Sequence, residues 1–223
     1  MSDARPPLGM AQIVDYLMIV QNRIAIIGDE AEKNGRITAD YNAFNMTFNV
    51  VRITAEAIDY YDRDWSNHTA TFSTEKTQRT YEEFVQRIGE LLKFCLIRTL
   101  SYIEYAAKEK IRRSNILALV EIKKAIEEGK RVNLAWIVNS SFKHGLIDSD
   151  TQKKWEGLNE LRNCIVHNGG FADFAGSYIV DGFEIEFRKG ENLRFELNVF
   201  ISLIDSAIRV FELWLVKVSA TAS

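Results

Sequence analysis

Around residue 160 the chain reads Leu158-Asn-Glu-Leu-Arg-Asn-Cys-Ile-Val-His-Asn-Gly-Gly170, and three side chains in this run could do chemistry: Arg162, Asn163 and His167. An imidazole moves protons near neutral pH, its unperturbed pKa being ~6.5. A guanidinium stays charged and offers a planar fork of donors that suits phosphate oxygens. At about 100° per residue, Leu158, Leu161 and Ile165 fall on one stripe of a helix, while Asn163 and His167, four residues apart, share a face turned away from it. Arg162 lies between the two faces, and its long side chain could reach the same patch. This helix is expected to pack by one side and to present Arg, Asn and His from the other, close to its C-terminal end. Helix physics alone also accommodates these residues. Cations are favoured at the negative end of the helix dipole, and Asn168-Gly169 is an ordinary stop.

The elements that must hold this helix follow from apolar positions recurring at three- and four-residue steps. A helix is expected over about 8–33, on Ile13, Leu17, Val20, Ile24 and Ile27, ended by Asn34-Gly35. A second covers about 38–63, through Phe44, Phe48, Val51, Ala55 and Ile58, and residues 64–73 read as a polar connection. A third, long helix over about 80–113 opens with a capping box of Thr80 and Glu83. Shorter helices follow at 115–128 and 131–144, ended by Gly129 and Gly145, and a capping box of Ser149 and Gln152 opens the motif helix at 150–168. Two β-prone runs at 177–180 and 183–188 flank Asp181-Gly182, which signals a hairpin. Residues 193–197 add a third strand or begin the last helix, which runs to about Val218. The expected fold class is all-α: an antiparallel helical bundle over 1–223 as one domain, with a small β-hairpin insertion at about 175–193 before the last helix.

Composition narrows the function classes. The 223 residues carry 28 Lys+Arg against 31 Asp+Glu, a net charge of −3, and 47% of them are hydrophobic, which excludes a bulk polycation and a disordered chain. Cys95 and Cys164 sit in apolar helical patterns and read as reduced core thiols; His68, His144 and His167 lack zinc spacing, so neither metal nor cofactor is expected. No P-loop, GxGxxG or GxSxG supports nucleotide phosphotransfer, dinucleotide redox or serine hydrolysis. The first seven residues lack the apolar core of a signal peptide. Asp15, Gln21 and Arg23 interrupt the run at 10–27, and Asp205, Arg209 and Glu212 interrupt that at 199–216, so the expectation is a cytoplasmic protein with no membrane span. Lys108, Lys110, Arg112, Arg113, Lys123, Lys124, Lys130 and Arg131 are interspersed with Glu104, Glu109, Glu121, Glu127 and Glu128; they read as a solvated face, an RNA-backbone patch being the alternative. Tyr60, Tyr81, Tyr102, Tyr105, Trp136 and Trp155 are among the aromatics expected in the core or in oligomer contacts.

Arg162 and His167 with four residues between them, Asn163 directly after the Arg, and a position at the end of the penultimate long helix resemble the Arg-x4-6-His motif of the HEPN superfamily. The resemblance covers about a dozen residues. It implies a metal-independent endoribonuclease that acts on RNA as a homodimer, with two motif helices lining one cleft and no cofactor. By that resemblance His167 is general base or acid, Arg162 clamps phosphate, and Asn163 orients the imidazole or donates to phosphate. The products would be a 2′,3′-cyclic phosphate and a 5′-hydroxyl. It also implies a toxin or phage-defence role, with a nucleotidyltransferase-like antitoxin as partner. Many active relatives place a carboxylate or hydroxyl from an earlier helix near the motif, for which Glu104, Thr99 and Ser101 are the candidates. The alternative is a non-catalytic HEPN-like regulator or interaction scaffold acting in a dimer or hetero-complex.

Overall fold

Seven α-helices and one hairpin emerge from these patterns in the computed structural model, which describes residues 10–33, 39–69, 74–193 and 195–221. In chain order they are α1 (Met10–Lys33), α2 (Ala39–Thr69), α3 (Thr74–Arg113), α4 (Val120–Glu127), α5 (Leu134–Lys143), α6 (Ser149–His167), β1 (Gly176–Val180), β2 (Phe183–Phe187) and α7 (Leu197–Thr221), with a one-turn 3-10 helix at Leu117–Leu119 before α4. The fold is all-α with a two-stranded antiparallel hairpin ahead of the last helix, as the sequence predicts.

Each long helix buries the stripe its spacing marks. Ile13, Leu17, Val20 and Ile24 of α1 meet α2, and Ile88, Leu92, Leu96 and Leu100 of α3 meet α2 on its other side. Helix α7 packs on α3 and α1 and is buried along most of its length, with Phe211 between Phe44 and Trp214 at ring separations of 5.6 and 5.9 Å. The Trp214 indole N–H donates to the buried Ser141 hydroxyl at 2.9 Å, which ties α7 to α5. Helix α1 is long and apolar enough to cross a membrane by length and composition alone. Here its Arg23 bonds the buried Asp205 of α7, and its apolar stripe lies in the core. Cys95 and Cys164 are both free and buried, in line with core thiols.

Several boundaries differ from the sequence reading. Most of the polar stretch 64–73 is helical, because α2 continues to Thr69 and α3 starts at Thr74. Trp65 anchors this end, packing on Tyr81 and Phe84 at 5.5 and 5.7 Å. Thr80 is therefore inside α3, six residues past its first residue, and does not mark its start. The run 115–128 splits into the 3-10 turn and α4, and α5 is capped by Asn133, whose side chain accepts from the Trp136 amide. The described residues of 193–197 add no third strand; Leu197 begins α7, and the bridge nearby pairs Phe171 with Asn192. The expected stop at Asn34-Gly35 lies outside the described residues.

The hairpin follows its turn chemistry. Asp181 and Gly182 both have positive φ, 47° and 86°, the conformation that a two-residue turn demands and that Asp-Gly supplies. Val180, Ile185 and Phe187 face the core, and β1 lies against α6. Gly157 permits the close approach: a Cβ there would fall 2.7 Å from the Cβ of Tyr178.

Candidate functional site

Helix α6 carries the three motif residues, and its ends are well defined. Asp148, rather than Ser149, caps the start: its carboxylate accepts from the Thr151 amide at 2.8 Å, and an ionised side chain is the better acceptor for an exposed helix N–H. Hydrogen bonding by the Thr151 amide, then by its side chain, holds the Asp148 carboxyl below its ordinary pKa. At the other end the Gly170 amide donates to the Cys164 carbonyl at 2.9 Å, with Gly169 and Gly170 at φ of +60° and +90°, so the helix closes where Asn168-Gly169 marks its end.

Arg162 turns toward α3. Its Nη1 donates to Oε2 of Glu104 at 2.8 Å, and the Lys108 ammonium donates to Oε1 of the same carboxylate at 2.6 Å. The side chains of Glu104, Arg162 and Lys108 are 16%, 24% and 29% exposed. Burial pushes the Glu104 carboxyl up, but the hydrogen bonds and charges of Lys108 and Arg162 outweigh it and hold the group below its ordinary value. Two cations thus share one carboxylate, and the cluster keeps a net charge of about +1, with Arg162 donors to spare. Of the three candidate auxiliary residues, Glu104 is the one that touches the motif. Thr99 is fully buried, and the Ser101 hydroxyl donates back to the Ile97 carbonyl at 2.8 Å. Lys108 is the member that sequence reasoning missed, because in the sequence it belongs to an apparently solvated basic run.

Asn163 is half-buried, and its side-chain amide lies on the side of Glu160, whose carboxyl pKa it acts to lower. That flank is acidic. Burial, then the charges of Asp173 and Glu156, raise the Glu160 carboxyl against the lowering effect of Asn163. Burial, then Asp173 and Glu160, raise the Cys164 thiol. His167, the last residue of α6, is exposed, and among the described residues it has no hydrogen-bond or ion-pair partner.

Arg162 and His167 do not converge within one chain. Five residues of helix separate them by about 140° around the axis and ~7.5 Å along it, and Arg162 spends its reach on Glu104. This departs from the expectation that Arg162 serves the same patch as Asn163 and His167. The physical reason is the charge-assisted hydrogen bond that an ionised carboxylate on α3 offers. The groove beside the hairpin, lined by Phe171, Glu184, Glu186, Arg188, Glu191 and Asn192, is carboxylate-rich and contains none of the motif residues. Among the described residues no group of three or more His, Cys, Asp or Glu side chains comes together as a metal site. Comparison with protein families, with curated proteins and with solved structures yields no match.

Proposed function

We propose that this protein is a metal-independent endoribonuclease of HEPN type, working as a homodimer in the cytoplasm. The observation that supports this most is the division of labour on α6: a guanidinium held by Glu104, and an exposed imidazole with no partner among the described residues at the helix end. In this reading the base takes the proton of a ribose 2′-hydroxyl, and the 2′-oxygen bonds to the adjacent phosphorus. The bond from phosphorus to the 5′-oxygen breaks, and the acid returns a proton to that oxygen. His167 serves as base or acid and Arg162 holds the phosphate oxygens as their charge grows. Asn163 orients the imidazole or donates to phosphate. The products are a 2′,3′-cyclic phosphate and a 5′-hydroxyl.

The dimer follows from two needs. One imidazole does not readily act as both acid and base in one turnover, and Arg162 and His167 diverge on their own helix. A twofold axis beside α6 supplies a second imidazole and sets the Arg162 of one chain near the His167 of the other. A toxin or phage-defence role, restrained by a nucleotidyltransferase-like antitoxin, is the setting this reading fits. The competing reading is a non-catalytic scaffold, favoured by the prior engagement of Arg162 with Glu104, which a purely structural ion pair would also produce. Incubating the pure protein with single-stranded and structured RNA in EDTA decides between them. Cleavage that survives EDTA, yields cyclic-phosphate ends and is lost in His167→Ala upholds the nuclease; intact RNA, or an equally active variant, overturns it.

A further inference from the structure

On α3 the exposed side chains fall into a pattern that packing does not explain. Arg87, Phe94, Arg98, Tyr105 and Arg112 are all exposed, and at about 100° per residue they lie within ~40° of one another around the helix. They form a strip opposite the buried Ile88, Leu92, Leu96, Leu100 and Ile103. Cation and aromatic alternate along it, over 25 residues of helix or ~38 Å. Phe94 and Tyr105 are 49% and 50% exposed, which leaves Tyr105 outside the core, and the Arg98 guanidinium lies over the Phe94 ring at 5.4 Å. The nearby carboxylate of Glu109 is tucked beneath Arg112 and Arg113, both of which it bonds, and is itself only 13% exposed. Both guanidiniums therefore face outward, and one negative charge is set against two positive ones. Lys108 flanks the strip between Tyr105 and Arg112 and binds the carboxylate that holds Arg162, so the strip runs up to the motif.

We infer that this face of α3 is a binding track for single-stranded RNA that delivers the strand to the motif of α6. A row of cations meets the phosphates, and flat rings between them take unpaired bases in sequence-tolerant stacks, the chemistry by which single strands are held. The track is long enough for a site within the usual range of about 4–16 nucleotides. The nature of the strand as substrate rests on the nuclease reading above; the binding does not.

Binding is measured by fluorescence anisotropy of a labelled 12-nucleotide single-stranded RNA, in EDTA and at two salt concentrations. The protein is the full chain carrying His167→Ala, so that no cleavage intervenes. Tyr105→Ala and Phe94→Ala are each expected to raise Kd about tenfold, as for the loss of one base–aromatic stack, and Arg98→Glu more. Tyr105→Trp is expected to keep the affinity and Tyr105→Leu to lose it, since leucine preserves apolar contact but cannot stack. An RNA duplex of equal length is expected to bind more weakly than the single strand. Unchanged Kd in the Tyr105 and Arg98 variants, or a duplex bound as tightly, overturns the track. So does a Tyr105→Leu protein that keeps full affinity, or aromatic variants that change only the oligomeric state, which would make the strip a contact between copies of the chain. If these dependences hold while the wild type cleaves nothing, the track stands and the nuclease reading falls. If wild type cleaves short RNA and strip variants bind as it does, the reverse is true.

Discussion

Glu104→Gln removes one negative charge while keeping the side chain's shape, and it strikes the only link described between the motif arginine and α3. At 2.8 Å and an effective dielectric constant of ~20, the Arg162–Glu104 attraction is about 6 kcal/mol gross. Both groups are at least three-quarters withdrawn from solvent, so desolvation takes back most of it and leaves ~1–3 kcal/mol, the range of hydrogen bonds to charged groups. Glu104→Gln is therefore expected to cost ~2 kcal/mol, with Lys108 losing its partner as well, and to lower Tm by ~4–8 °C in a chain of this length. The decisive measurement is a double-mutant cycle of Glu104→Gln and Arg162→Gln, followed by urea unfolding. A coupling of ~1–2 kcal/mol is expected, and the double variant should be more stable than the sum of the single losses implies. Additivity within ~0.5 kcal/mol would show that the pair is an incidental surface contact, and the account of how Arg162 is positioned would fall with it. On the nuclease reading Glu104→Gln, assayed where it remains folded, also cleaves RNA about tenfold more slowly or worse, because a misplaced clamp loses orientation. A full cleavage rate would confine Glu104 to a structural role.

Other consequences can be checked separately. Ser141→Ala strands the buried Trp214 indole N–H and should cost ~1–3 kcal/mol in urea unfolding; a loss below ~0.5 kcal/mol would contradict the importance of that bond. Gly157→Ala places a methyl group against Tyr178, and overpacking of this kind costs ~1–3 kcal/mol; amide exchange across Gly176–Val180 should accelerate, and unchanged exchange would mean that the strand is not seated there. Glu160, whose carboxyl the fold raises, binds its proton more readily folded than unfolded. Its ionised form thus works against folding at neutral pH, so Glu160→Gln should raise the urea midpoint at pH 7 and the gain should fade as pH falls through the ordinary carboxylate range; a lowered midpoint at pH 7 refutes this. Glu104 and Asp181 show the opposite sign. Their carboxyls are held low, so their contributions are complete above the unfolded pKa and disappear as pH drops through the folded one. Burial pushes the Cys95 thiol up to about 12; native protein at pH 8 should leave it unalkylated by iodoacetamide, and rapid labelling without denaturant would show that the core opens there.

The sequence by itself was enough for whatever depends on neighbours a few residues apart. Helix spacing is local, so the stripe Ile13–Ile24 and the existence of the seven helices were legible, as was the Asp181-Gly182 turn, which needs only a backbone that tolerates positive φ. Helix ends were less legible, because competing caps stand side by side: Asp148 took the role that Ser149 could have filled, and Trp65 drew α2 through residues that look like a loop. The tertiary structure alone decided the surroundings of the motif. Glu104 and Arg162 are 58 residues apart, and whether α3 offers Glu104, Thr99 or Ser101 to α6 depends on the rotation and axial register of two helices packed through a shared core. The divergence of Arg162 from His167, and the outward turn of Phe94 and Tyr105, have the same origin. Periodicity says which residues share a face, but only the mutual packing of all the faces decides what each one meets.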